Sequence, residues 1–198
     1  MLTRMILIRH GITAWNKERK YCGSSDVCLS PEGKKQAKKL QQRLAMEKID
    51  KVYSSNKKRA LQTAKIIFSK DKVDGLHQLN EIDFGCFEGL THCQILKLFP
   101  ELYNSWLKKP GSVRIPRAEK FSEFKKRVLC GFKQIIAKNK NKTVAVVCHG
   151  GSIAVLVSCI EKSCGFWQYI PSSASMTIIE FTAGKPRLMI FNDTSHLN

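Results

Sequence analysis

Met5-Ile6-Leu7-Ile8-Arg9-His10-Gly11 and Val144-Ala145-Val146-Val147-Cys148-His149-Gly150-Gly151 are the two stretches that decide the fold. Each is an unbroken aliphatic run that stops at a histidine followed by glycine. Such a run, too short for a helix, is the pattern of a strand covered on both faces, as in a parallel sheet. In open sheets of that kind, ligands bind outside the carboxyl ends of the strands. The two histidines then face one pocket, with Arg9 beside them. Paired imidazoles and a guanidinium suit a phosphate group, because the planar fork of Arg grips phosphate oxygens two at a time.

Outward from these stretches, strands and helices alternate. Strand one runs from Met5 to Arg9, and a polar loop follows from Gly11 to about Leu29. Ser30-Pro31-Glu32 predicts a helix start: Ser caps free N–H groups, Pro fits the first turn, and Glu complements the dipole. Ala37, Leu40, Leu44 and Ala45 then recur at helical spacing. Lys51 to Ser54 predicts a second strand, and Ser55 to Lys58 turns into a helix with Ala60, Leu61, Ala64, Ile67 and Phe68 on one side. A third strand is expected at Leu76 to Leu79. The irregular stretch 80–116, with helical pieces at 94–98 and 101–107, reads as a pocket-covering insertion within one domain, 1–198. A long helix is expected over 119–138, with Phe121, Phe124, Val128, Phe132, Ile135 and Ile136 inward. After the strand Thr143 to Cys148 comes a helix from Gly150 to Ile160. Ser175 to Thr182 and Arg187 to Asn192 predict an antiparallel hairpin turning at Gly184. The alternation predicts an α/β fold, a three-layer sandwich around a mixed, mostly parallel sheet.

Composition narrows the function. With 198 residues, 43% hydrophobic and 25% charged, the chain can bury a core without staples. Lys and Arg total 34 against 16 Asp and Glu, a net charge of +18. Most of the excess is Lys scattered over helices, which reads as a solvated surface that also draws anionic substrates. No basic run is interleaved with aromatics, so nucleic acid is not the expected partner. The eight cysteines form no Cys-x-x-Cys, and no histidine lies at finger spacing, which argues against a zinc site. Cys130, Cys148 and Cys159 read as small core residues. The N-terminal apolar run is too short for a signal peptide and no stretch is long enough to span a membrane. A reducing cytoplasm is the expected compartment. The sequence leaves oligomeric state open, a homodimer included.

A phosphomonoester hydrolase needs a nucleophile, cations around the equatorial oxygens, and an acid for the leaving alkoxide. A neutral imidazole can be the nucleophile, and neighbouring arginines favour its neutral form. His10, Arg9 and His149 supply candidates from the strand ends. Arg59 opens the helix after strand two, where free N–H groups also point at an anion. Glu81 and Glu88 are both candidates for the acid. His77 and His92 read as structural or surface residues, and His196 as a tail residue within possible reach of substrate. Cys22 and Ser24 are placed on the loop facing the pocket. Phe84 and Trp106 suit either the pocket wall or the packing of the insertion.

These fragments, taken together, resemble the histidine phosphatase superfamily, the phosphoglycerate mutase-like fold. The resemblance rests on Arg9-His10-Gly11, Thr13-x-Trp15-Asn16, Gly23-x-x-Asp26-x-x-Leu29-Ser30-x-x-Gly33, Ser54-Ser55-x-x-x-Arg59-Ala60-x-Gln62-Thr63-Ala64, Glu81-x-x-Phe84-Gly85-x-x-Glu88-Gly89 and His149-Gly150-Gly151. The motifs cover nearly the whole chain, in the family's order. The resemblance implies that His10 is phosphorylated, that Arg9, Arg59 and His149 clamp the phosphoryl group, and that Glu81 donates the proton. It adds Asn16, Gly23 and Gly150 as phosphate contacts and implies neither metal nor organic cofactor.

Within the family, Ile82 stands where mutases typically carry Arg, which favours a phosphatase. Phe99-Pro100-Glu101-Leu102-Tyr103-x-x-Trp106-x-x-x-Pro110 and Asn192-Asp193-x-x-His196-Leu197 resemble the α-ribazole phosphatase branch, which removes a 5′-phosphate during assembly of the cobalamin nucleotide loop. The expected substrate is accordingly a small phosphorylated metabolite. The rival is a broad-specificity phosphatase, or a phosphoglycerate mutase or fructose-bisphosphatase-like enzyme. Ile12 and Ala118-Glu119-Lys120 depart from the family's usual Glu or Gln and Gly-Glu-Ser.

Overall fold

The computed structural model describes residues 2–163 and 165–198. Cys164 therefore lies outside the described residues. Six strands form one sheet: β1 (Leu2–Arg9), β2 (Lys51–Ser54), β3 (Val73–Gly75), β4 (Thr143–Cys148), β5 (Met176–Thr182) and β6 (Lys185–Asp193), in the order β3-β2-β4-β1-β5-β6. The first four are parallel, and β5 and β6 join antiparallel at one edge. The helices are α1 (Ala14–Lys17), α2 (Pro31–Arg43), α3 (Lys58–Ile67), α4 (His92–Leu98), α5 (Pro100–Lys108), α6 (Phe121–Lys138) and α7 (Gly150–Ile160).

Successive strand side chains point to opposite faces, and this alternation builds the three layers. Met5 and Leu7 of β1 pack with Val144 and Val146 of β4 against Phe124, Val128, Phe132 and Ile135 of α6 and Ile153 and Val157 of α7. Ile6, Ile8, Ala145 and Val147 point the other way, onto Ala37 and Leu40 of α2 and Ala60, Ala64 and Ile67 of α3. The mixed α/β sandwich expected from the sequence is the architecture found. A third cluster, Phe87, Ile95, Tyr103, Trp106 and Ile115, is built within the 80–116 stretch.

Pairing places the site. β1 and β4 are neighbours in register, Arg9 opposite Cys148, and the His10 N–H donates to the Cys148 carbonyl at 3.0 Å. The two fragments that end on histidine, remote in sequence, thus emerge side by side at the carboxyl end of the sheet.

Several elements differ from expectation. The third strand is Val73–Gly75, while His77–Leu79 is a single 3-10 turn. Leu79 looks strand-like because it packs on the core, yet it does so from that turn, while Leu76 is extended just before it with its N–H on the Ser54 carbonyl. β3 pairs only with β2 at the sheet edge and needs no apolar alternation. The 11–29 loop contains α1, closed by a reciprocal cap between Thr13 and Asn16. Helix α2 is capped by Ser30 as expected but ends at Arg43, leaving Ala45 exposed. Helix α6 starts at Phe121 rather than residue 119. Cys130 and Cys159 are exposed, on the outer sides of α6 and α7; Cys148 alone of the three is buried. Among the described residues no helix is long and apolar enough to cross a membrane.

Candidate active site

His10 is 4% exposed and His149 fully buried, and their ring centroids lie 5.2 Å apart, edge to face. His10 Nδ1 lies 2.8 Å from the Gly11 carbonyl, which can only accept, so Nδ1 carries the ring proton. That leaves the Nε2 lone pair free. Burial first, then the charges of Arg59 and Arg9, hold the His10 pKa well below the ordinary imidazole value. The ring is therefore neutral at physiological pH. His149 is pushed down in the same way, by burial and then by Arg59, His10 and Arg9. Its Nε2 lies 2.6 Å from Ser55 Oγ, which also accepts the Lys57 N–H at 3.3 Å. A Ser55 hydroxyl donating to Nε2 puts the His149 proton on Nδ1.

Arg59, in the first turn of α3, is fully buried and held through the 22–25 loop. Its Nη1 donates to the Ser25 carbonyl at 2.7 Å and its Nη2 to the Gly23 carbonyl at 2.8 Å. Glu88 fixes that loop from the other side. Its Oε1 accepts the N–H groups of Gly23 (2.9 Å), Ser24 (2.8 Å) and Phe84 (3.1 Å), and its Oε2 that of Ser25 (3.3 Å). With four N–H groups on its carboxylate, Glu88 is a brace for the loop that seats Arg59. Lys57 Nζ adds a bond to the Ser24 carbonyl. A side chain on Gly23 would collide with the Ile82 carbonyl, so the loop closes on the acid-bearing segment only with glycine there.

Glu81 occupies the opposite wall. Its Oε2 accepts the Gly151 N–H at 2.8 Å, in the first turn of α7, and its Oε1 the Ile82 N–H at 3.0 Å. A Cβ on Gly151 would strike Glu81 Oε1, which explains the second glycine after His149. Burial raises the Glu81 pKa, with the two N–H bonds and the nearby arginines opposing it. The net rise favours the protonated carboxyl, the form a proton donor needs.

Arg9 Nε, Arg59 Nε and His149 Nδ1 are buried and have no hydrogen-bond partner in the protein. Buried polar groups are nearly always satisfied, so three unpaired donor sites, one of them on the cavity-lining Arg9, suit a ligand rich in acceptor oxygens. His10 opens onto a cavity of about 600 Å³. Arg9, Asn16, Cys22, Glu81 and Gly150 line it with His10, and Tyr21, Phe84, Tyr103, Trp106, Phe121 and Trp167 form its aromatic part. Asn16 uses Oδ1 to accept from Thr13, leaving its NH₂ as the donor. Tyr21, Phe84 and Trp106 make edge-to-face contacts with one another at 5.2 to 6.0 Å, so the two insertion residues serve as wall and as packing at once.

Other expected positions fall elsewhere. Arg59, His149 and Gly23 are not among the lining residues, and the Gly23 N–H is taken by Glu88. Ser24 faces a separate shallow groove, with His77 at its edge. His196 lies away from the cavity, near Ala174 and Asp193. His92, read as structural or surface, lines the cavity and bonds Tyr103 Oη at 2.9 Å. Sequence reasoning gave no role to Ser55 or to Thr63, whose Oγ1 takes the Gly11 N–H at 3.0 Å. Both stand inside the Arg59 motif, which was the signal available. Phe166 and Trp167 gave none, because they reach the cavity from a distant loop.

Residues 5–194 match the histidine phosphatase superfamily (branch 1), and the chain belongs to that family. It is a histidine phosphatase superfamily phosphatase. Phosphoglycerate mutase-like protein 4 of Arabidopsis thaliana is 34% identical over 98% of this chain and 86% of its own. Phosphoserine phosphatase 1 of Hydrogenobacter thermophilus is 29% identical over 99% of this chain and 95% of its own. A crystal structure of a putative alpha-ribazole-5′-P phosphatase from Escherichia coli superposes with a TM-score of 0.88 at 26% identity, covering 96% of each chain.

Proposed function

We propose that this protein hydrolyses small phosphomonoesters through a phosphohistidine on His10, with arginines in place of a metal, and that its substrate is of the α-ribazole 5′-phosphate type. The observation that carries the chemistry is the set of unpaired buried donors, Arg9 Nε, Arg59 Nε and His149 Nδ1, around the neutral His10. His10 Nε2 attacks phosphorus, and the P–O bond to the leaving group breaks. Glu81 gives its proton to the departing alkoxide. Water then attacks the phosphohistidine, returns a proton to Glu81 and releases orthophosphate and free His10. Arg9, Arg59 and His149 spread the charge of the phosphoryl oxygens in both steps, with Asn16 and Gly150 at the cavity side.

The aromatic part of the cavity supports the substrate class. A planar, uncharged heteroaromatic nucleoside gains there by stacking and burial. Phosphoserine offers an ammonium group, and Glu81 is the single carboxylate among the lining residues. The described cysteines are free, which suits a reducing cytoplasm. The test is turnover of p-nitrophenyl phosphate and of α-ribazole 5′-phosphate in EDTA. The expected result is an acid-labile phosphoprotein in the wild type and none in His10→Ala. Turnover without that intermediate overturns the mechanism. Faster turnover of phosphoserine than of α-ribazole 5′-phosphate overturns the substrate.

A further inference from the structure

Glu81 stands on a segment with little regular structure of its own. A single 3-10 turn, His77–Leu79, precedes it, and no strand or helix contains it. Side chains hold the backbone of that segment instead: Ser152 of α7 donates to the Leu79 carbonyl at 3.1 Å, and the larger set of bonds comes from Arg127 of α6. Nη1 donates to the carbonyls of Gln78 (3.0 Å) and Asn80 (2.8 Å), and Nη2 to that of Glu81 (3.3 Å). Nε and Nη2 also donate to Glu119 Oε1 and Oε2, at 2.8 and 2.6 Å. All five N–H donors of the guanidinium are used. Glu119 is itself tied to the acid-bearing segment, its N–H donating to the Asp83 carbonyl at 3.1 Å. Neither Arg127 nor Glu119 lines the substrate cavity.

We infer that the Arg127–Glu119 pair is a positioning device for the proton donor, an inference that rests on Glu81 having that role. The carbonyls of Gln78, Asn80 and Glu81 converge on one guanidinium, with that of His77 at 3.4 Å, and only a planar five-donor fork can meet them while pairing both carboxylate oxygens. Loosening it frees the backbone of residues 78–81, and the carboxyl loses its alignment with the leaving oxygen. Misplacement of this kind lowers rate without removing any group that touches substrate.

Leaving-group dependence separates this from a general structural role. p-Nitrophenolate departs without a proton, whereas an alkoxide needs one, so a fault at the acid weighs on alkyl phosphates alone. The experiment compares kcat/KM, which reports the phosphorylation step, for β-glycerol phosphate and p-nitrophenyl phosphate. The proteins are wild type, Glu81→Gln, Arg127→Lys and Glu119→Gln, each checked for folding by circular dichroism and thermal melting. Arg127→Lys keeps the charge and the aliphatic stem and so guards against loss of the fold. The expected loss with β-glycerol phosphate exceeds that with p-nitrophenyl phosphate by about tenfold or more in both pair variants, a part of the roughly 10²–10⁴-fold worth of a general acid. Equal losses on the two substrates, or none, overturn the inference while the selective loss in Glu81→Gln keeps the donor role. Glu81→Gln without selectivity overturns the donor role and the positioning role together.

Discussion

The two ends of the cavity are built on opposite principles. At the phosphate end, His10, Arg59 and His149 are buried, charged or polar, and each is held by a hydrogen bond, to the Gly11 carbonyl, the 22–25 loop and Ser55 respectively. At the far end, rings from five separate segments meet edge to face, and Trp167 remains 37% exposed. The first end is preorganised for a fixed charge distribution; the second offers apolar area with few directional demands. On the function proposed above, chemistry and selectivity fall to different parts of the fold, so each should be open to change alone.

Removing the nucleophile has the largest expected effect. His10→Ala should lower kcat/KM on every phosphomonoester by about 10³-fold or more, as steady-state assays would show, because no other group can take its place. Comparable loss from a far-end substitution would break the division between the ends.

Glu81→Gln comes next, with a loss of roughly 10²–10⁴-fold on alkyl phosphates. The pH profile sharpens it. Below the depressed His10 pKa the ring is protonated and has no lone pair, so activity falls toward acid. Above the raised Glu81 pKa the carboxyl has lost its proton, so activity falls toward alkali. A kcat/KM profile of the Gln variant should keep the acid limb and lose the alkaline one. An unchanged alkaline limb would assign it to another group.

Trp167→Ala tests the far end. KM for α-ribazole 5′-phosphate should rise about tenfold, the worth of a single base–aromatic stack. KM for β-glycerol phosphate should move much less. If both rise alike, the aromatic end does not select for rings.

The smallest effect belongs outside both ends. Ser30 Oγ caps α2 by accepting the Gly33 N–H at 3.0 Å. Ser30→Ala should cost about 1 kcal/mol in chemical denaturation, with kcat of the folded enzyme unaltered.

Much of the sheet and the placing of Arg9, His10 and His149 at strand ends were legible because short-range rules govern them, whereas Arg59 was singled out only by the motif around it. The runs Met5–Ile8 and Val144–Val147 have the composition of covered strands, and a histidine at a strand end has one place to go. The miss at residues 76–79 has a physical cause. A core-facing leucine on a 3-10 turn carries the same hydrophobic signal as one on a strand, and only pairing with β2 distinguishes them. Glu88 was ambiguous for a related reason. A carboxylate in a glycine-rich loop reads alike as acid or brace until the four N–H groups around it are located.

By itself the sequence determined which residue types could meet a phosphate and which runs could form a buried sheet, because period and composition act over a few residues. The tertiary structure alone decided the rest: that Gly151 gives its N–H to Glu81, that Arg127 gathers three carbonyls behind it, and that Tyr21, Trp106 and Trp167 share one wall. Those contacts join residues tens of positions apart, and their partners are fixed by packing in space, which no local pattern along the chain encodes.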